Sequence, residues 1–237
     1  MPRYIPSLPF EDCFGSVGEK TYYHRNGVCF YKKRARPVFP GTMLQMEHQT
    51  VHLRAIDAWQ GLEPSVQKEW NSCAVGVQSH RPPFDGKSGI SGYNLFVSAY
   101  HGFSTLGREH TPAPMPWEKF PVYAVDGVSA VDRVDGSLKL GFQIRMPEGV
   151  EPGRYWLLTR IQLAKPGGGV RPGLMRNFLA SAGCAAGRSV VEVEVPDYVG
   201  IWDLDLQEFK AHCKYRLIDS KTGYRNDWRK ISADITL

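Results

Sequence analysis

The chain has 237 residues, 42% of them hydrophobic and 22% charged, with a formal net charge of +5. That apolar content is enough for real cores and excludes a disordered polyelectrolyte, and the length allows one large domain or two modest ones. The charge is unevenly placed: residues 1–41 carry seven basic against three acidic side chains, and residues 42–111 carry five against six.

The first dozen residues, with Pro2, Pro6 and Pro9, lack the continuous apolar core of a signal peptide. No apolar run is long enough to span a bilayer, so no membrane-spanning segment is expected and the expected location is cytoplasmic. The five cysteines, Cys13, Cys29, Cys73, Cys184 and Cys213, are an odd set with irregular gaps and no C-x-x-C pair. Reduced, mostly buried thiols are the expectation, with a Cys184–Cys213 bridge left open.

Thr21 to Tyr31 reads as a β-hairpin. Two aromatic-rich arms flank Asn26-Gly27, a pair that accepts the positive φ values of a type I′ turn. The far arm runs into Lys32-Lys33-Arg34-Ala35-Arg36, and Pro37 and Pro40-Gly41 end it. Cations beside exposed rings can capture an acidic partner or stack on bases, which makes Arg25, Lys32, Lys33, Arg34 and Arg36 the candidate partner-binding residues.

Thr42-Met43-Leu44-Gln45 has capping-box spacing, and Leu44, His48, Val51, Ala55, Trp59 and Leu62 recur every three or four residues, so a helix is expected from 42 to about 62. A second helix should start at Pro64, with Val66, Trp70, Ala74 and Val77 as its apolar stripe and the first helix as its antiparallel neighbour. Only Lys68 is basic on that stretch, too little for a DNA-recognition helix. After a Pro/Gly-rich loop from His80 to Ser91, a third helix should bury Tyr93, Phe96, Val97 and Tyr100.

Thr111-Pro112-Ala113-Pro114-Met115-Pro116 reads as a stiff linker. Beyond it the apolar period falls to two. Leu138, Leu140, Phe142, Ile144 and Met146 alternate with polar residues, as do Val191, Val193 and Val195, and Ile231, Ala233 and Ile235. Six or more short antiparallel strands of this kind point to a sandwich. The expected fold class is therefore α+β and multidomain: a small hairpin-plus-helices domain, residues 1–111, followed by an antiparallel immunoglobulin-like β-sandwich, residues 112–237.

Chemistry is sparse. His48 and His52 have the i, i+4 spacing at which two imidazoles share a metal, but Gln49-Thr50-Val51 between them lack the glutamate of H-E-x-x-H. A third ligand could come from His24, His80, His101 or His110, and nothing in the spacing selects one. Interfacial histidines without metal are the expectation. Asp203 and Asp205 alternate with Trp202, Leu204 and Leu206, as on the wet side of a strand. Lys165 to Pro172 is rich in glycine but lacks a G-K-[ST] ending, so a mobile loop rather than a phosphate cradle is expected. No G-x-S-x-G elbow or cofactor motif is present, so no catalytic, metal or cofactor residues are assigned.

The run Gly15-x-Val17-Gly18, Tyr22-Tyr23-x-Arg25-Asn26-Gly27 and Lys33-Arg34-x-Arg36-Pro37, continued by the Gln45–Trp59 helix, the Leu62–Trp70 stretch and Ser91-Gly92-Tyr93-Asn94-Leu95-Phe96, resembles a group of uncharacterised proteins from Bacteroides-type bacteria. The resemblance covers about the first 100 residues and implies an immunoglobulin-like sandwich for the remainder. It brings no activity, cofactor or binding residues. The functional expectation is a noncatalytic structural or interaction module whose partner is another protein or a second copy. The alternatives are nonspecific nucleic-acid binding through the hairpin, or a sandwich that binds carbohydrate on Trp156, Trp202 or Trp228 or works as a hydrolase at a domain interface.

Overall fold

The computed structural model describes residues 15–25, 28–34, 41–77, 89–134, 137–204 and 207–236. The Asn26-Gly27 turn, Arg36, His80, Cys13 and Asp205 lie outside them. The chain divides into two units, Met1–Met46 and Glu47–Leu237.

In the first unit β1 (Gly15–Val17), β2 (Lys20–Arg25) and β3 (Val28–Lys33) form an antiparallel sheet in the order β1-β2-β3. The aromatic arms pair in register, Tyr22 opposite Tyr31 and Tyr23 opposite Phe30. Cross-strand ring pairs of this kind hold a small sheet together.

Helix α1 (Met43–Gln60) begins with the capping box that its sequence announces. The Thr42 Oγ1 accepts from the Gln45 N–H at 3.4 Å, and the Gln45 Oε1 accepts from the Thr42 N–H at 3.3 Å. Helix α2 (Pro64–Ala74) starts at its proline and buries Trp70 and Ala74. Helix α3 (Gly92–Thr105) is capped by the Ser91 hydroxyl, which accepts from the Asn94 N–H. Its inward face is Leu95, Phe96, Ala99 and Phe103, whereas Tyr93, Val97 and Tyr100 are half-buried. The main helical neighbour of α2 is α3 rather than α1. The small residues Ala99 and Gly102 let α3 seat closely on what lies beneath it.

The remaining strands are β4 (Ala124–Val134), β5 (Ser137–Met146), β6 (Tyr155–Ala164), β7 (Arg176–Gly183), β8 (Gly187–Val195), β9 (Glu208–Asp219) and β10 (Arg229–Thr236), with a one-turn helix α4 (Tyr198–Trp202) before β9. They do not form the immunoglobulin-like β-sandwich expected from the alternation. One seven-stranded antiparallel sheet runs β10-β9-β6-β7-β8-β5-β4, and its end strands β4 and β10 come side by side, so the sheet nearly closes into a barrel. Strands of eight to twelve residues twist strongly enough to curl. Two register shifts in β4 and one between β6 and β7 add local bend. The seam is bridged by side chains. Arg229 donates to the Tyr123 carbonyl at 2.5 Å and lies 4.3 Å over the Tyr123 ring, and that ring meets Tyr215 edge-on.

The core within is continuous across all the strands. Leu138, Leu140, Phe142 and Ile144 of β5, Val191, Val193 and Val195 of β8, and Cys213, Tyr215 and Leu217 of β9 are buried in it, as their alternation requires. A second cluster gathers Trp70, Leu95, Phe96 and Ala99 with Tyr224 from the β9–β10 connection. Trp70 Nε1 donates to the Pro112 carbonyl at 2.8 Å and Tyr224 Oη to the Met115 carbonyl at 2.8 Å, so both ends of the proline-rich stretch are held.

Two smaller expectations are also corrected, and the bridge left open between two cysteines is decided. Asp203 is not on a strand: it is the C-cap of α4, in left-handed backbone with φ 53. The glycine-rich loop is pinned, since Gln162 binds the Gly169 carbonyl and the Arg171 N–H while His212 Nε2 sits 2.8 Å from the Gly168 carbonyl. Cys184 and Cys213 are both free and buried, with no bridge. Among the described residues no helix is long and apolar enough to cross a membrane.

Candidate binding surfaces

The basic residues singled out from the sequence divide along the small sheet. Lys20 faces Lys33, and Thr21 faces Lys32, at one end, while Arg25 pairs with Val28 at the other. Antiparallel partners share a face, so Lys20, Tyr22, Tyr31 and Lys33 line one side and Tyr23, Phe30 and Lys32 the other. The Lys20 ammonium lies 4.8 Å over the Tyr31 ring, and that of Lys32 lies 5.9 Å over Tyr23. Lys20, Lys32, Lys33 and Arg34 are exposed and the four rings half-buried. Both faces therefore combine an aromatic pair with cations. Lys20 was missed from the sequence because only the hairpin register reveals that it joins Lys33.

The histidines meet in part as the i, i+4 spacing proposes. His101 of α3 stacks on His48 at 4.8 Å and on His52 at 5.7 Å between centroids, and its Nε2 is 3.5 Å from the Nδ1 of His52. Burial first, then His48, Arg225 and His52, pushes His101 down to about 4. The rings stack rather than converge, and among the described residues no group of three or more His, Cys, Asp or Glu side chains is placed to hold a metal ion.

A cleft of about 670 Å³ opens between α1, α3 and residues 107–112, with Arg54, Tyr100, Arg108, Glu109 and His110 on its walls. His110 is boxed by Trp70, Phe96, Tyr100 and Phe103. Burial pushes it down to about 4, and its Nε2 is buried without a hydrogen-bond partner. His110 thus brings a buried, unpartnered ring nitrogen to the wall of the cleft.

The tryptophans considered as a sugar platform go separate ways. Trp156 Nε1 holds the Gly153 carbonyl, Trp202 Nε1 holds the Leu174 carbonyl, and Trp228 lies under Arg160 and Arg216.

No protein-family model matches the chain and no curated protein is similar to it. Among solved structures it is similar to β-glucosidase 3B from Thermotoga neapolitana in complex with glucose, at 14% identity over 58% of this chain and 20% of that one, with a TM-score of 0.19. The chain spans about a fifth of that enzyme's length. A likeness at that score carries no argument for fold or activity.

Proposed function

We propose that this chain is a noncatalytic binding module that engages a partner with an acidic protein surface through the basic, aromatic sheet of residues 15–34. The observation that supports it is the pairing on each face of half-buried rings with exposed lysines, Lys20 and Lys33 beside Tyr22–Tyr31 and Lys32 beside Tyr23–Phe30. A three-stranded sheet this small gains stability from covering such rings, and the lysines bias what covers them toward negative charge.

The same geometry favours a second reading, single-stranded nucleic acid, because rings flanked by cations stack bases and neutralise phosphates. Polyglutamate and a single-stranded oligonucleotide, titrated over a salt series, separate the two. The first reading expects polyglutamate binding that Lys33→Glu with Arg34→Glu removes while circular dichroism is unchanged. Tighter oligonucleotide binding with quenched tyrosine fluorescence would install the second reading. Binding of neither ligand would sink both.

A further inference from the structure

The outer wall of the barrel gathers three arginines that, among the described residues, form no ion pair with a carboxylate. In β6, Leu157 and Ile161 enter the core, so Arg160 points outward, and in β9 the same logic turns Arg216 outward between Tyr215 and Leu217. β6 and β9 are neighbours, with Arg160 opposite Lys214 and Leu158 opposite Arg216, which sets the two guanidiniums on adjacent positions of one face. Trp228, just before β10, lies beneath both: the Arg216 guanidinium carbon is 4.3 Å and that of Arg160 4.9 Å from its ring centroid. Arg225 arrives from the β9–β10 connection, where its backbone bridges to Ile218, and one of its terminal nitrogens donates to the Ser98 hydroxyl of α3 at 3.3 Å.

The polar accounting of this cluster is incomplete. The Nε of Arg216 and the Nε of Arg225 are both buried without a hydrogen-bond partner. Arg160 spends its own Nε on Asn177 Oδ1 at 2.7 Å. Ion pairs seen among the described residues lie elsewhere, at Arg145–Asp126, Arg154 with Glu118 and Asp219, Lys210–Asp234 and Lys221–Glu151. Arg154 makes the contrast plain, for it too is largely buried and the fold gives it two carboxylates.

Like charges also act on one another here. Burial and then Arg225 and Arg160 push Arg216 down to about 9, and Asp227, the one carboxylate pulling the other way, has the smallest influence. Burial and Arg160 push Arg225 down to about 10. Crowded guanidiniums with idle N–H groups are the arrangement that an oxyanion relieves, because it accepts several charge-assisted hydrogen bonds at once. Arg160 is exposed, so the cluster is open to solvent beside it.

We infer that Arg160, Arg216 and Arg225, floored by Trp228, form a binding site for a phosphate group. A doubly charged tetrahedral anion matches three cations better than a single carboxylate does, and it presents enough oxygens to reach all three. The site belongs to the barrel and does not depend on the sheet of residues 15–34.

The probe is inorganic phosphate, added to the full chain at constant ionic strength against sodium chloride and sodium acetate, with the melting temperature and tryptophan fluorescence as readouts. The expected result is a saturable rise in melting temperature with phosphate alone, and a fluorescence change that Trp228→Phe removes. Arg160→Gln, at an exposed position that the fold tolerates, should weaken the apparent phosphate affinity at least tenfold. Arg216→Gln with Arg225→Gln should abolish the response, and because the charge repulsion is gone this variant should fold at least as stably without phosphate. A phosphate response no larger than that to chloride, or one retained by Arg160→Gln, overturns the site. An equal response to acetate overturns the assignment to phosphate.

Discussion

Arg154 places its Nε and Nη2 on the same carboxylate oxygen of Asp219, at 3.1 and 2.7 Å. The pair ties the residue just before β6 to the end of β9. The other Asp219 oxygen accepts from the Lys221 N–H, so the carboxylate also closes the turn that follows. Asp219, chief among several groups, holds the Arg154 guanidinium above its ordinary range. The Asp219 side chain is 5% exposed and that of Arg154 16%, whereas Glu118, the second partner, is 61% exposed. Removing one member of a buried pair strands the other, so Asp219→Ala should cost about 3 kcal/mol. Glu118→Ala should cost less than about 1 kcal/mol, since its attraction is screened by water. Urea unfolding of the two variants measures the difference, and equal losses would refute the ranking.

A second contact is set by the absence of side chains. A Cβ on Gly102 of α3 would fall inside the carbonyl of Gly223, and Gly223 itself has φ +68 with the Phe103 ring against it. Backbone meets backbone there, so α3 cannot accommodate even a methyl group. Gly102→Ala should destabilise by about 3 kcal/mol. Gly107→Ala, at φ +64 in open space, should cost only about 1 kcal/mol for its left-handed backbone. Thermal or urea melts that rank the two the other way would show that α3 does not rest on this turn.

Stability should depend on pH through two histidines. His101 and His110 both take up a proton near pH 4 in the folded chain, against 6.5 as the ordinary value. Between those limits the unfolded chain binds more protons than the folded one, so stability is full above pH 6.5 and is lost as the pH falls towards 4. The melting temperature should therefore drop across that window. His101→Gln combined with His110→Phe should flatten the profile, and an unchanged slope in that variant would count against the shifts. His48→Gln removes one group that lowers His101, so the drop should end at a higher pH and be smaller.

The thiols should sort by depth. Burial pushes Cys184 and Cys213 up to about 12, so neither offers a thiolate near neutrality. In the native protein they should resist an aromatic disulfide reagent and react fully once urea unfolds the barrel, while half-buried Cys29 and Cys73 react earlier. A species of altered mobility without reductant, abolished by Cys184→Ala, would contradict the free-thiol state.

Much of the local structure was legible in the chain itself. Thr42 and Gln45 cap α1 as their spacing demands, Pro64 opens α2, and the alternation of Leu138 to Met146 and of Val191 to Val195 puts those side chains in the core. Such features depend on neighbours only a few residues away. Asp203 marks the limit of this reasoning, because apolar alternation over five residues fits a strand as well as a short helix. Capping decided it: the Asp197 side chain accepts from the Gly200 N–H and starts α4 instead.

Period-two burial records that one face of a strand is covered, and a sandwich and a nearly closed barrel cover it equally well. Only strand pairing separates them, β7 joining β6 to β8 and β4 meeting β10, and pairing is a property of the whole fold. The same holds for the two places where charge gathers. Lys20 joins Lys33 through a hairpin register that composition almost discloses, whereas Arg160, Arg216 and Arg225 are far apart in the chain and meet because β6 lies beside β9 and the connection after β9 folds back under α3. Residue types and periods determined which segments are helix and sheet; three-dimensional closure decided which cations share a surface, because electrostatic interaction depends on distance through space and not along the backbone.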